Sequence, residues 1–210
     1  MCQTVLCTEA PSPAVSTPPS VITELPTNVL DVTSSPTSSP SSANGALIDS
    51  LPVPIESQIA TIVQWNFPRD CTIADLDVTL GIDHVEVGDL KIYLGTPTGG
   101  IVGLLDRPGT TEPDGFGFSS DLIAGFPITF DDASANDPEM LGATGTPQPP
   151  GSTVRSFGAF TLSDGTAFAT LTLDDLIGSN ANGVWLIGIL DDVQFLDGSL
   201  ETVELDFTCA

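Results

Sequence analysis

Apolar and polar residues alternate twice between Ile73 and Leu94. Leu76, Val78, Leu80 and Ile82 interleave with Asp75, Asp77, Thr79 and Gly81. After the short polar turn His84-Val85-Glu86-Val87-Gly88-Asp89, Leu90, Ile92 and Leu94 repeat the pattern around Lys91 and Tyr93. A period of two sets one face of a strand in a core and the other in water, and a turn of that length joins neighbouring strands. Similar signals recur at 57–65, 72–82, 89–96, 100–106, 122–130, 156–163, 166–173, 183–191 and 198–208. Clusters of Gly, Pro, Asp and Asn separate them, and no stretch of ten residues carries a helical period. The pattern predicts an all-β fold, a jelly-roll-like antiparallel sandwich of about eight or nine strands over residues 57–210.

The first 45 residues follow another rule. Residues 8–45 are rich in Ser, Thr and Pro, which forbids helix and predicts an extended arm or stalk. Its Ser and Thr beside Pro suit O-linked glycans, whereas no Asn-x-Ser/Thr sequon occurs in the chain. Val21, Ile22, Leu25, Val29, Leu30 and Val32 form an apolar patch inside it, more hydrophobe than a plain linker carries. The patch predicts a strand or strap that docks on a neighbouring subunit, giving self-association through the arm. Residues 46–56, with Pro52 and Pro54, read as a strap leading into the sandwich.

Charge narrows the habitat. Twenty-eight acids face four bases, Arg69, Lys91, Arg107 and Arg155, for a net of -24. Such a surface repels nucleic acid and anionic membranes. No run of 18 apolar residues exists to span a bilayer. MCQTVLC has neither a basic n-region nor an apolar h-region, so it does not read as a secretory leader; the scarcity of Lys and the Ser/Thr/Pro tract still point to an extracellular or cell-surface protein. The four cysteines form two sets. Cys71 precedes the first organising strand and Cys209 ends the last, so a bridge between neighbouring first and last strands is possible, worth about 4–5 kcal/mol by loop entropy. Cys2 and Cys7 are free to pair with each other or with another subunit.

The residues also resemble a known family. His84-x3-Gly88-Asp89-Leu90-x-Ile92-x-Leu94, Thr96-Pro97-x-Gly99 and Leu104-Leu105 are similar to the P domain (P/Homo B domain) of subtilisin-like proprotein convertases. Phe130-Asp131-Asp132-Ala133 resembles that family's acidic turn. Asn182-Gly183-Val184-Trp185-Leu186, Asp191 or Asp192, and Gly198-Ser199-Leu200 resemble its closing pattern, and Val203-Glu204-Leu205-Asp206-Phe207 its last strand. The likeness runs from about residue 57 to 208. It implies a jelly-roll sandwich that performs no chemistry and stabilises a catalytic domain; here no protease motif accompanies it.

Catalytic readings are poor. His84 is the sole candidate base, it lies in a turn, and no G-x-S-x-G elbow exists to receive it; a hydrogen-bonded turn histidine is the plainer reading. Two Trp and one Tyr do not furnish a glycosidase cleft. Calcium is the candidate cofactor, with Asp83, Asp89, Asp131, Asp132, Asp137, Asp191 and Asp192 as the candidate oxygen ligands, set against plain solvated turns. Asp89 reads better as a turn-locking acceptor of backbone N–H groups. Trp65 and Trp185 read as core, and Phe116 and Phe118 as loop anchors. Two functions survive: a non-enzymatic structural or surface protein, and an accessory or adhesive P-domain module.

Overall fold

The computed structural model describes residues 28–31, 45–47, 51–110, 115–144, 152–161 and 167–210. Thirteen strands follow in order: β1 (Asn28–Asp31), β2 (Gly45–Leu47), β3 (Val53–Ile55), β4 (Ala60–Phe67), β5 (Ile73–Asp83), β6 (Leu90–Gly95), β7 (Ile101–Asp106), β8 (Ile128–Phe130), β9 (Ser152–Val154), β10 (Ala159–Thr161), β11 (Ala167–Ala169), β12 (Gly183–Asp191) and β13 (Gly198–Cys209). Three single-turn 3-10 helices, at Val87–Asp89, Pro138–Met140 and Asp174–Leu176, lie among them. No described helix is long and apolar enough to cross a membrane.

Two sheets form an all-β sandwich. One has the order β1-β4-β12-β6-β7 and the other β2-β13-β5-β8-β9, with β3 also on β13. Pairing is antiparallel except for β1 on β4 and β9 on β8. Period-two alternation does the building. Val78 and Leu80 of β5, Leu90, Ile92 and Leu94 of β6, and Leu205 and Phe207 of β13 are all fully buried. Trp185 is buried to 1% exposure and its ring lies 5.3 Å from that of Phe207, which meets Phe67 at 4.8 Å. Burial of each such side chain contributes about 1.5–3 kcal/mol. The Trp185 indole N–H donates to the Ala181 carbonyl at 2.7 Å, so its polar edge is satisfied inside the core.

The Cys71–Cys209 bridge is formed, with a sequence separation of 138. Cys2 and Cys7 lie outside the described residues, as do Val21, Ile22, Leu25 and Val32. Several boundaries differ from the sequence pattern. The strand expected over 122–130 is reduced to β8, because Gly125 and Pro127 interrupt the run, and Leu122 joins only through a single bridge to His84. Of the strand expected over 156–163, residues 156–158 lie outside any strand, 159–161 form β10 and 162–163 lie outside the described residues, while β9 carries no signal in the sequence pattern. The strap at 46–56 holds two short strands, β2 and β3, both on β13. Phe118 packs against the core as an anchor, whereas Phe116 is 76% exposed.

Candidate functional site

The outer edge of β4 is one site. Across its whole length β4 pairs with β12, and Asn28–Asp31 of the arm pair with the opposite edge in parallel register, Asn28 with Thr61 through Asp31 with Gln64. That register sets Leu30 beside Val63, whose side chain is fully buried, and Val29 beside Ile62. Strand β2 crosses to the other sheet and lies on β13. The two edges are neighbours, because the Thr61 hydroxyl donates to the Pro54 carbonyl of β3 at 2.9 Å.

The second site is a buried polar end of the sandwich, built around the turn that follows β5. Gly88 is obligatory there, since a Cβ would strike the backbone of Gly117 and Phe118 crossing over it. His84 is 3% exposed. Its Nδ1 faces the Glu86 carbonyl at 2.9 Å and accepts the Glu86 N–H at 3.2 Å, so it is a turn histidine, as the sequence suggests. Its Nε2 stands 3.5 Å from Asp191 Oδ2. Burial works against the imidazolium, but the Asp191 carboxylate beside it outweighs that and holds the His84 pKa above its ordinary value.

Asp89 is fully buried, and neither carboxylate oxygen has a hydrogen-bond partner. The expected turn-locking bonds are not made: the Asp89 backbone carbonyl, not its side chain, receives the Asp192 N–H at 2.9 Å. Burial, then the charges of Glu86 and Asp191, push its pKa up to about 6. Arg107, with φ of 54°, threads the same end. Its Nε donates to the Gly88 carbonyl, its Nη2 to Gly115, and its Nη1 lies 3.5 Å from Asp192 Oδ2.

The other carboxylates named for calcium are placed in turns. Asp83 accepts from Ala124 N–H, Asp131 from Ala133, Asp132 from Ser156 and Asp174, and Asp137 from Glu139. Asp137 also pairs with Arg155 at 3.2 Å, and Asp192 with Lys91 at 3.2 Å. Of the seven, Asp89 and Asp191 alone keep buried oxygens without a hydrogen-bond partner. Among the described residues no three His, Cys, Asp or Glu side chains converge as a metal site. Beside His84 a cleft of about 420 Å³ opens between Asp83, Asp121, Ile123 and Asp197.

Sequence reasoning missed Lys91, Asp106, Arg107 and Glu139. Each is buried or half-buried by segments distant in sequence, and only the rarity of bases in this chain could have flagged the first and third.

No family model and no curated protein matches the chain. Solved structures to which the chain is similar include the serine protease of Aeromonas sobria, at 14% identity and a TM-score of 0.41, and the complex of Aeromonas sobria serine protease with its chaperone, at 13% and 0.39. Each likeness covers 79% of this chain and 27% of the other, so this chain spans about a quarter of those neighbours.

Proposed function

We propose that this is a non-enzymatic extracellular structural or surface protein whose sandwich is the repeating body and whose arm supplies a strand to a neighbouring copy. The observation that carries the reading is the arm segment Asn28–Asp31 lying along the β4 edge. A strand added to an open edge brings one set of main-chain hydrogen bonds per residue, with alternate side chains setting register. Residues 32–44, which join β1 to β2, reach about 45 Å when extended, against about 10 Å between packed sheets. The same strand can therefore occupy its own body or the next one, the condition for swapping at little cost. A net charge of -24 opposes close approach at low salt.

The Cys71–Cys209 bridge fits an oxidising compartment. The P-domain resemblance favours a second reading, an accessory module that holds its strand in cis and stabilises a separate protein. Size-exclusion chromatography with light scattering, joined to negative-stain microscopy, separates the two. The first reading expects assemblies of the full chain that grow with ionic strength and a monomer when residues 1–44 are deleted. Assembly of the truncated chain, or a full-length monomer at every salt concentration, would contradict it.

A further inference from the structure

Alternation along β6 should leave Lys91 in water. Leu90, Ile92 and Leu94 face the core, so Lys91 and Tyr93 take the outer face of the sheet, yet Lys91 is only 3% exposed. The β10–β11 hairpin covers it. Phe160 meets the Tyr93 ring edge-on at 5.7 Å and lies 5.8 Å from Lys91 Nζ. The Lys91 ammonium donates to the Thr161 carbonyl at 2.7 Å. Directly opposite in register on β7 stands Asp106, with Oδ1 4.0 Å from Nζ and side chains 4% and 5% exposed for the pair. Beside Asp106, Glu139 carries a buried Oε1 that has no hydrogen-bond partner, and the Asp106 backbone N–H lies against the Glu139 carboxylate. A buried amine and a buried carboxyl on the adjoining strand thus stand together under an aromatic cover, with a half-buried carboxylate against the backbone of the second.

We infer that Lys91 and Asp106 condense into an intramolecular isopeptide bond, with Glu139 carrying the proton. The step balances without any co-reactant. A proton passes from the Lys91 ammonium to the Asp106 carboxylate, giving neutral amine and neutral acid. The Nζ lone pair then attacks Cγ, forming the C–N bond. Glu139 takes a proton from nitrogen and returns it to the departing hydroxyl, the C–O bond breaks, and one water leaves. Burial raises the Asp106 pKa. Burial, then the charges of Asp106 and Asp137, push Glu139 up to about 7, suited to accepting and giving a proton near neutral pH. Asp192, although 3.2 Å from Nζ, is 21% exposed and shared with Arg107, so it serves as counter-ion to both bases.

The bond would close the β6–β7 hairpin at the end away from the Thr96–Gly100 turn, and unlike the Cys71–Cys209 bridge it would resist reductant. Intact mass of the full chain, denatured and reduced, tests it. The expected mass is that of the sequence less one water, and digestion should yield a branched peptide joining Lys91 to Asp106. Lys91→Met should restore the full sequence mass. Glu139→Gln should keep the fold but slow the appearance of the link about a hundredfold in freshly made protein. Linear peptides carrying free Lys91 and free Asp106, or a branch at Asp192, would overturn the proposal. Prompt, complete linkage in Glu139→Gln would overturn the role of Glu139. If Lys91→Met fails to fold, the wild-type digest decides alone.

Discussion

At the start of β5, Asp70 lies in water beside the Cys71–Cys209 bridge. Its Oδ1 accepts from the side-chain amides of Asn180 at 3.1 Å and Asn182 at 3.0 Å, which hold its pKa below the ordinary value. Asn180 also receives the backbone N–H of Cys71 and of Asn182, so the bridge is seated in a satisfied, solvated polar net. Beyond the far end of the same strand, Asp89 and Asp191 are fully buried, and three of their four oxygens lack hydrogen-bond partners. One residue type thus has opposite behaviour at the two ends. The first end is tied covalently and its carboxylate is solvated; the second holds desolvated charge, which makes it sensitive to pH.

Breaking the covalent end should have the largest effect. Replacing both Cys71 and Cys209 by Ser opens a loop spanning 138 residues, and loop entropy sets the expected loss at about 4–5 kcal/mol. A urea midpoint lowered by much less would place the holding force elsewhere.

Buried carboxyls should announce themselves in pH, those of the second end among them. Burial is the leading cause that raises Asp77 and Asp89 from 3.8 to about 6, and Glu139 from 4.5 to about 7. His84 is raised above 6.5 by Asp191 against the pull of burial. Each group binds its proton more tightly folded than unfolded, so its contribution is complete below the unfolded value and is lost as pH rises through the folded one. The carboxylates act between about pH 4 and 7 and His84 above that. Asp70 and Asp175 are shifted the other way, but in water, where screening blunts them. Thermal midpoints in high salt, which removes general self-repulsion, should be higher at pH 5 than at pH 8. A flat or rising profile would contradict the contrast between the two ends.

Asp89→Asn sharpens it to one residue. Removing a buried charge without hydrogen-bond partners should stabilise the fold by about 1 kcal/mol at pH 8 and by about half of that at pH 5. A loss at both values would mean that the carboxylate has a partner after all.

The sandwich itself was legible. Strand β6, β5 from Leu76 to Ile82 and β13 from Val203 to Phe207 carry the alternation plainly, β12 reads as an apolar run, and Cys71 precedes β5 while Cys209 closes β13. His84 was legible as a turn residue because its partners lie within two positions. Lys91 was not. Its burial comes from Phe160 and Thr161, about 70 residues away along the chain, and alternation speaks only for the strand's own two faces. Asp89 misled for a related reason: a local turn rule supplies nearby N–H donors, but the loop at Gly117–Phe118 occupies the turn's backbone, with Gly88 N–H bonded to the Phe118 carbonyl at 3.0 Å. Of the arm's apolar patch, Val29 and Leu30 are found in a strand, as their composition suggested, and the sequence pattern had no means of choosing β4 as its seat.

The most direct test of the assembly reading is a cysteine trap across the β1–β4 register, in a Cys2→Ser, Cys7→Ser background. Val29→Cys and Ile62→Cys, which stand opposite one another, are made in separate chains, mixed and mildly oxidised. Donation between copies predicts a disulfide-linked heterodimer on a non-reducing gel, absent when either variant is oxidised alone. A mixture that stays monomeric, while the chain carrying both substitutions closes its own bond, would keep the arm on its own body and contradict the account.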